Sequence, residues 1–568
     1  MKNIVIVDLL STGINYVTDI VQRGYNPVIV ESLVISNSTA YDQVKENYSK
    51  LKTMPVIIRE KNSYEETLDE IKKYDPVLVL PGTESGVVLA TRLAYDMGLP
   101  GNDINYIDAM TKKDAMHEAL KNAGIRYIRG KIVVSADEAV SFCKENGLDK
   151  TIVKPTQSAG SIGVFLCDTL TQVSEAVSKL LSMHDFAGRP YEILVQERIF
   201  GTEYVVNTIS RDGEHRLNSM AKYEKVETPN GHYIYDYLYY IDQLEPGFAE
   251  MVEYAFKVTD AIHYKNGLIH GEYMIDEKGP VLIEVNCRPF GGSQPAEFMD
   301  LITGQHETDS VLDALLDPVK FKADCEKPYR LLRMGGLKFI IVKEDIYAKD
   351  SPIREVVKQL SSTYKLSSSG QDGPTYFQKT IDAETSGGVI FMVNEDKQVL
   401  KEELELIRRL EKRFFNFLLN DGTSRLVSPK ADFVNEKAQD IIASCECHGS
   451  ILVASDAKRE IEGCQCVTKD TLDEAQRGFD NVIIMYGNSL TKLSESACLK
   501  LIFDTMELVR EGGRVIVPES TYDYISYGRQ GMEELMNIKG LVVEPTKKSN
   551  AGKVIGTASL KSLKIREI

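Results

Sequence analysis

Apolar runs of strand length alternate with amphipathic stretches of helical length over the first hundred residues. Lys2–Val7 (KNIVIV) reads as a buried strand, Leu10–Gly13 as a short loop and Ile14–Arg23 as a helix capped by Gly24. Pro27–Glu31 (PVIVE) is the next strand. A helix near Tyr64–Lys73, a strand over Pro76–Leu80 and a helix over Val87–Met97 repeat the rhythm. Such β-α-β alternation predicts a parallel sheet. The loop LLSTG holds one glycine, so it is not the G-x-G-x-x-G dinucleotide fingerprint. Glu84, in PGTESG, falls past the carboxyl end of a strand, where ligands bind in open α/β sheets. A first-turn helix charge is the other reading of that residue.

The middle of the chain changes pattern. A helix runs from Asp108 through Thr111-Lys112-Lys113 to about Asn122, then a strand over Ile132–Val134 and a helix over Ala136–Glu145. Thr151–Pro155 is a strand that ends in Lys154-Pro155, and Val164–Cys167 is apolar again. Between them lies TQSAGSIG, whose small residues let backbone N–H groups approach an anion closely. The spacing is not that of a Walker loop, and a tight hairpin without a ligand accounts for it equally. Strands follow over Tyr191–Ile199 and Glu203–Ile209, a turn at Arg211-Asp212-Gly213 and a helix over Pro246–His263. Five tyrosines between Tyr233 and Tyr240 read as packing surface.

The most informative stretch is His270–Gly292, HGEYMIDEKGPVLIEVNCRPFGG, a predicted β-hairpin turning at Asp276–Gly279. Period two puts His270 and Glu272 on one strand face, and Glu284, Asn286 and Arg288 on one face of the return strand. Two carboxylates and an amide oxygen can converge there, a hard-oxygen set suited to Mg²⁺ beside substrate phosphates. Arg288 can hold an anion by charge-assisted hydrogen bonds. A solvated acidic face is the bland alternative for this pattern.

Composition narrows the class. The 568 residues predict roughly three or four domains. With 43% hydrophobic and 27% charged residues, the chain is an ordinary globular one. A net charge of −17 and the lack of a basic run leave nucleic acid without an electrostatic footprint. No apolar stretch is long enough for a membrane span, and MKNIVIVDLL lacks a signal-peptide layout, so a cytoplasmic location is expected. Nine cysteines do not make a disulfide scaffold here. Cys445-Glu-Cys447-His448 and Cys464-Gln-Cys466 could assemble a zinc site, but the spacing is CxC rather than CxxC and lies near strand-like runs, so packed thiols are the favoured reading.

Taken in order, Lys113 on a helix, Lys154 in VKP, the SAGSIGV loop, the QERIFGTE hinge and Glu272, Glu284 and Asn286 resemble the ATP-grasp enzymes over about residues 1–420. Within that superfamily E-x-N-x-R resembles the L-amino-acid ligases (the dipeptide synthetases) and the biotin-carboxylase-like members more than D-alanine:D-alanine ligase, and GTEYVVNTISRDGEHRLNSMAKYEK and RMGGLKFI resemble the L-amino-acid ligases. Cys287 departs from the small or proline residue more usual at its position.

The resemblance implies an α/β and α+β multidomain chain. A Rossmann-like pre-ATP-grasp domain would span 1–107, and an ATP-grasp core 108–330, divided at about 198/199. A C-terminal subdomain would span 331–420, with a Rossmann-like domain at 432–568. It implies ATP and Mg²⁺ (or Mn²⁺), small-molecule carboxylate and amine substrates, and a possible homodimer. Lys113 and Lys154 would contact the ATP phosphates, with Ser158, Gly160, Ser161 and Gly163 folding over them. The backbone of Glu197, Arg198 and Ile199 would meet the adenine edge, and Glu203 the ribose hydroxyls. Glu272, Glu284 and Asn286 would hold the metal, and Arg288, with Lys154, would act in catalysis. Glu84, His270, Arg288 and Gly291 would line the substrate pocket, although a satisfied core histidine is as good a reading of His270.

The chemistry so implied is attack of a carboxylate on the γ-phosphate, then displacement of phosphate by an amine, releasing ADP. Carboxylation of biotin-carboxylase type and an inactive ATP-binding scaffold are the alternatives. The later chain has strand-like Leu332–Val342 and Gly387–Val393, a helix over Glu402–Leu419 and a polar linker over Asn420–Pro429. After it come strands over Ser450–Ala454 and Asn481–Tyr486. A helix capped by Ser494 runs to Glu511, and a strand covers Arg514–Pro518. This part resembles the later half of class I methyltransferases. Ser450–Gly463 lacks the glycine-rich loop such enzymes need, so a degenerate, structural or partner-binding domain is expected.

Overall fold

The computed structural model describes residues 1–38, 40–156, 163–183, 190–227, 233–343, 346–348, 356–367, 375–381, 385–417, 438–456, 460–486, 490, 493, 495–518, 541–548 and 554–560. The chain divides into two compact units, Met1–Leu337 and Lys338–Ile568.

The first unit opens with four parallel strands, β1 (Asn3–Val7), β2 (Asn26–Glu31), β3 (Val56–Arg59) and β4 (Pro76–Pro81), in the order β3-β2-β1-β4. Alternate residues serve opposite faces, as period two requires. Ile4, Ile6, Ile29 and Leu78 pack with Tyr16, Val17 and Ile20, while Val5, Val7, Val28 and Val79 pack with Leu89 and Leu93. The unit built from helix Tyr41–Ser49 and β3 was not marked by patterning, because β3 is four residues long and mostly exposed. A side chain on Gly13 would strike the Gly82 carbonyl, and one on Gly82 the Asp8 carbonyl. Glycine at both places lets the loops after β1 and β4 lie backbone to backbone.

Four antiparallel strands follow, β5 (Gly130–Val133), β6 (Thr151–Pro155), β7 (Phe165–Cys167) and β8 (Ile193–Glu197), ordered β5-β8-β6-β7. Helices Ala136–Glu145 and Leu170–Leu181 bury Ala139, Cys143, Val173 and Val177 against them. The largest sheet comprises β9 (Thr202–Arg211), β10 (Glu214–Glu227), β11 (Tyr233–Tyr240), β12 (Gly267–Asp276) and β13 (Gly279–Asn286), antiparallel in the order β13-β12-β9-β10-β11. β14 (Met334–Phe339) lies beside β11. Helix Phe248–Ala261 packs Met251, Ala255 and Val258 against Tyr204, Val206 and Leu282.

One helix is not as expected. The stretch from Asp108 to Asn122 is two helices, Ile107–Thr111 and Lys113–Asn122, with Lys112 extended between them at φ −118°, ψ 126°. The Thr111 hydroxyl donates to the Ile107 carbonyl, a side-chain bond of the kind that competes with helix continuation. Lys113 therefore opens a helix rather than lying inside one.

In the second unit β16 (Thr363–Ser367) pairs with β18 (Val389–Asn394), β15 (Ile346–Ala348) pairs with β17 (Thr375–Phe377), and a long helix covers Lys397–Phe417. A six-stranded sheet follows, built from β19 (Ile451–Ser455), β20 (Cys464–Val467), β21 (Phe479–Met485), β22 (Val509–Pro518), β23 (Leu541–Lys548) and β24 (Val554–Leu560). Its order is β20-β19-β21-β22-β24-β23, parallel among the first four and antiparallel at the last two. The helix expected to reach Glu511 ends at Met506, and Val509 is already in β22. Gly512 (φ +75°) and Gly513 sit inside that strand, where a Cβ on Gly513 would come within 2.9 Å of the Phe479 carbonyl. They serve a register shift against β21 rather than a helix end. The linker Asn420–Pro429 and the cap Ser494 lie outside the described residues.

Cys445, Cys447, Cys464 and Cys466 pack around Ile441, Val453 and Ile483 as free thiols. Among the described residues no group of three or more His, Cys, Asp or Glu could hold a metal ion. No helix among them is long and apolar enough to cross a membrane.

Candidate active site

The β12–β13 hairpin forms as its pattern requires, with Lys278 beside Asp276 in the turn and Gly279 at φ +94°. In its register Glu272 lies directly opposite Glu284, and His270 opposite Asn286, before a bulge between Glu272 and Tyr273. The side chains so placed form one cluster. Asn286 Nδ2 donates to Glu284 Oε1 at 3.4 Å, which leaves its own Oδ1 as a donor atom for a cation. The Lys113 ammonium sits 2.6 Å from Glu284 Oε2, delivered by the helix that starts at that residue.

Electrostatics separates the two carboxylates. Burial alone would keep Glu284 protonated, but the ammonium groups of Lys113 and Lys154 outweigh it and hold the carboxyl below its usual range. Glu272 is pushed up, by burial and then by the Glu284 charge opposite it. Lys154, buried at the end of β6, is pushed down to about 8 by burial and by its neighbour Lys113. Hard oxygens preset on paired strands, with a cation already seated on one of them, fit Mg²⁺.

Arg288 lies just past β13, and its Nε is 3.3 Å from Glu84 Oε2. The loop after β4 thus meets the end of the hairpin, and Glu84 is also the first residue of a short 3-10 helix, Glu84–Gly86. Gly291 is fixed by the loop after β1. Ser11 Oγ donates to the Gly291 carbonyl and accepts the Ser293 N–H at 3.0 Å, and Thr12 Oγ1 accepts the Gln294 N–H at 3.0 Å. His270 is 2% exposed, its ring edge-on to Phe290 with centroids 4.6 Å apart. Its Nδ1 meets Asn207 Oδ1 at 2.8 Å and its Nε2 lies 3.5 Å from Glu272 Oε1. Burial, and then the charge of Arg288, hold the imidazole well below its ordinary pKa.

The nucleotide-contact residues are placed less completely. Gly163 is left-handed at φ +73°, whereas Ser158, Gly160 and Ser161 lie outside the described residues. The Glu197 N–H donates to the Arg129 carbonyl and that of Arg198 to the Lys150 carbonyl. The N–H groups of Glu197 and Arg198 are thus already engaged within the protein. Glu203 pairs with Lys225 and accepts the Tyr235 hydroxyl at 3.3 Å, so hydroxyls of a ligand would share it with those partners.

Sequence reasoning missed several residues around the hairpin. Ser11 and Thr12 reach it from a different part of the chain. Glu307 accepts the Phe290 N–H at 2.7 Å, and burial pushes its carboxyl up to about 7. Asn207 and Ser219 were legible only as polar interruptions in apolar strands.

The chain is similar to several known proteins. Residues 149–297 match the family model of the ATP-grasp domain. The chain is 28% identical over 422 residues to dapdiamide A synthase of Enterobacter agglomerans, covering 74% of this chain and 98% of that protein. It is 27% identical over 288 residues to the carbamoyl phosphate synthase large chain of Clostridium acetobutylicum, covering 50% of this chain and 25% of that one. The L-amino acid ligase of Bacillus licheniformis superposes with a TM-score of 0.54 at 16% identity, over 72% of this chain and 97% of that one. The carboxyaminoimidazole synthase of Aspergillus clavatus, solved with ADP, gives 0.52 at 14% identity over 72% and 99%.

Proposed function

We propose that this ATP-grasp chain, an ADP-forming ligase of the carbon–nitrogen kind, joins a small-molecule carboxylate to the amine of an amino acid. The observation that carries the reading is the hairpin cluster. Glu272 faces Glu284 in register, Lys113 is 2.6 Å from Glu284, and Arg288 sits at the end of the same strand.

The reaction brings two anions together, so its first need is positive charge at the γ-phosphate. Lys113 and Lys154 supply it from two elements. Glu272, Glu284 and Asn286 would hold Mg²⁺, which when bound neutralises the β- and γ-phosphate oxygens. Arg288 orients the substrate carboxylate and stabilises the oxyanion that forms when the amine attacks the acylphosphate. Glu84 lies against Arg288, across from it on the substrate side. His270 and Gly291 line the pocket for the amine. The backbone of Glu197–Ile199 and Glu203 serve adenine and ribose.

Residues 1–107 form a Rossmann-like domain that contributes Glu84, 108–330 the ATP-grasp core and 331–420 a closing subdomain. The mixed sheet of 432–568 belongs to a degenerate methyltransferase-like domain with a structural or partner-binding role.

The test is phosphate release across pairs of the twenty proteinogenic L-amino acids with ATP and Mg²⁺, with and without bicarbonate. Amide product with stoichiometric ADP is expected. Turnover that requires bicarbonate and gives no amide would replace this reading with carboxylation.

A further inference from the structure

Arg288 is reached from two sides by one stretch of chain, residues 8–15, which follows β1. On one side the Asp8 carboxylate accepts the Ser32 N–H at 2.7 Å and the Ser32 and Ser85 hydroxyls at 2.6 and 2.5 Å. Ser85 is the neighbour of Glu84, whose Oε2 is 3.3 Å from Arg288 Nε. On the other side three side chains hold four backbone groups of residues 291–294. Ser11 Oγ donates to the Gly291 carbonyl and accepts the Ser293 N–H, Thr12 Oγ1 accepts the Gln294 N–H, and Asn15 Nδ2 donates to the Gln294 carbonyl at 3.0 Å. Arg288 is tied to the start of the same loop, since its Nη1 donates to the Pro289 carbonyl at 3.0 Å. A shift of the loop is therefore a shift of the guanidinium.

Two further observations mark this junction. Gly291 and Gly292 give the loop the widest backbone freedom, so it needs holding from outside. Among the described residues seven that are not glycine have left-handed backbone, and three of them, Asp8 (φ 61°), Ser11 (φ 55°) and Ser293 (φ 49°), meet here. Such conformations persist only where surrounding contacts over-determine them, and they gather at functional sites. We propose that Ser11 and Thr12 are positioning residues for the amide-forming step: they clamp residues 291–294 and so hold Arg288 where the amine attacks the acylphosphate. The proposal deepens the ligase reading and rests on it. Lys113, Lys154 and the hairpin carboxylates make none of these bonds, so ATP binding does not depend on the clamp. A displacement of about 1 Å costs an aligned attack on the order of 10²-fold, whereas water needs no such alignment. Loosening the clamp therefore diverts the intermediate: water attacks the acyl carbon, the carbon–oxygen bond to phosphate breaks, and the free carboxylate and phosphate are released in place of the amide.

The experiment compares Ser11→Gly, Thr12→Val and Thr12→Ser with the parent enzyme, using the amino-acid pair that gives most amide. It reads amide formed per ADP released, KM for ATP and the thermal midpoint. Glycine adopts the backbone of residue 11 without penalty, so Ser11→Gly removes the hydroxyl and leaves the fold in place. Ser11→Gly and Thr12→Val should each lower amide per ADP by about three- to tenfold, with KM for ATP within about twofold of the parent. Thr12→Ser keeps the hydroxyl and should restore the ratio. If Thr12→Val does not fold, Ser11→Gly decides the matter. Amide per ADP unchanged in Ser11→Gly, or a ratio that Thr12→Ser fails to restore, would overturn the proposal while leaving the ligase reading intact. So would equal losses of amide and ADP with a lowered midpoint, which is what a purely structural role gives. A parent enzyme that releases no ADP and forms no hydroxamate with hydroxylamine, a small nucleophile that traps acylphosphate, would instead remove the ligase reading, and this proposal with it.

Discussion

Two lysine–glutamate pairs, one in each unit, one fully and one largely buried, show how the same chemistry serves different ends. Lys338 and Glu411 in the second unit are 2.7 Å apart, and Lys338 is fully buried. Lys338 also donates to the Phe339 carbonyl and Glu411 also accepts the Ile341 N–H, so the pair is closed off by backbone. Lys113 and Glu284 in the first unit are as close, at 2.6 Å, yet a second carboxylate, a second ammonium and an amide crowd the same face. The first arrangement pins a chain; the second gathers charges of both signs on one face, the kind of cluster in which carboxyl and ammonium groups shift one another's protonation.

The contrast can be broken most severely at Glu284. Glu284→Gln should abolish Mg²⁺-dependent ADP release, a loss beyond the roughly 10²–10³-fold usual for one electrostatic contact, because metal and Lys113 both lose their anchor. An ADP assay reads it, and full activity would remove Glu284 from the metal site. Arg288→Ala comes next, with amide formation reduced about 10²–10³-fold and ATP affinity little changed. Near-normal turnover would exclude Arg288 from the chemistry.

Lys338→Met should act on stability instead. It strands the Glu411 charge in the interior, at a cost of about 3–5 kcal/mol in unfolding free energy. Denaturant titration reporting on the second unit checks this, and an unchanged midpoint would show that the pair is dispensable. The smallest effect is that of pH on the first unit. Lys154, lowered to about 8, is cationic below that pH and neutral above it. ATP phosphates favour the cation, so KM for ATP should rise above pH 8, by up to about tenfold per unit, and be flat below. A flat profile to pH 9 would mean that Lys154 does not face the phosphates.

Legibility followed range. The β12–β13 hairpin was readable because side-chain alternation and turn chemistry are local, and with them came Glu272, Glu284, Asn286 and Arg288. The helix expected across Lys112 was misread because its break lies in an extended Lys112 beside the Thr111 side-chain bond to the Ile107 carbonyl, which helical periodicity does not mark. Gly512-Gly513 looks like a helix stop in sequence and proves to be a strand irregularity, since glycine permits both. Residues 158–161, central to the nucleotide reading, rest on motif resemblance.

The alternation of apolar and polar residues was enough to determine the parallel opening sheet, the hairpin and the residues that share its face, because each depends on neighbours a few positions away. Only the tertiary structure decided that Lys113 reaches Glu284, that Glu84 meets Arg288, and that Ser11 holds Gly291 from 280 residues away. It alone joined Ser219, Asn207 and His270 into one row. A hydrogen bond or ion pair across strands is set by register between segments distant in the chain, and no local pattern encodes which partner a buried polar group will find.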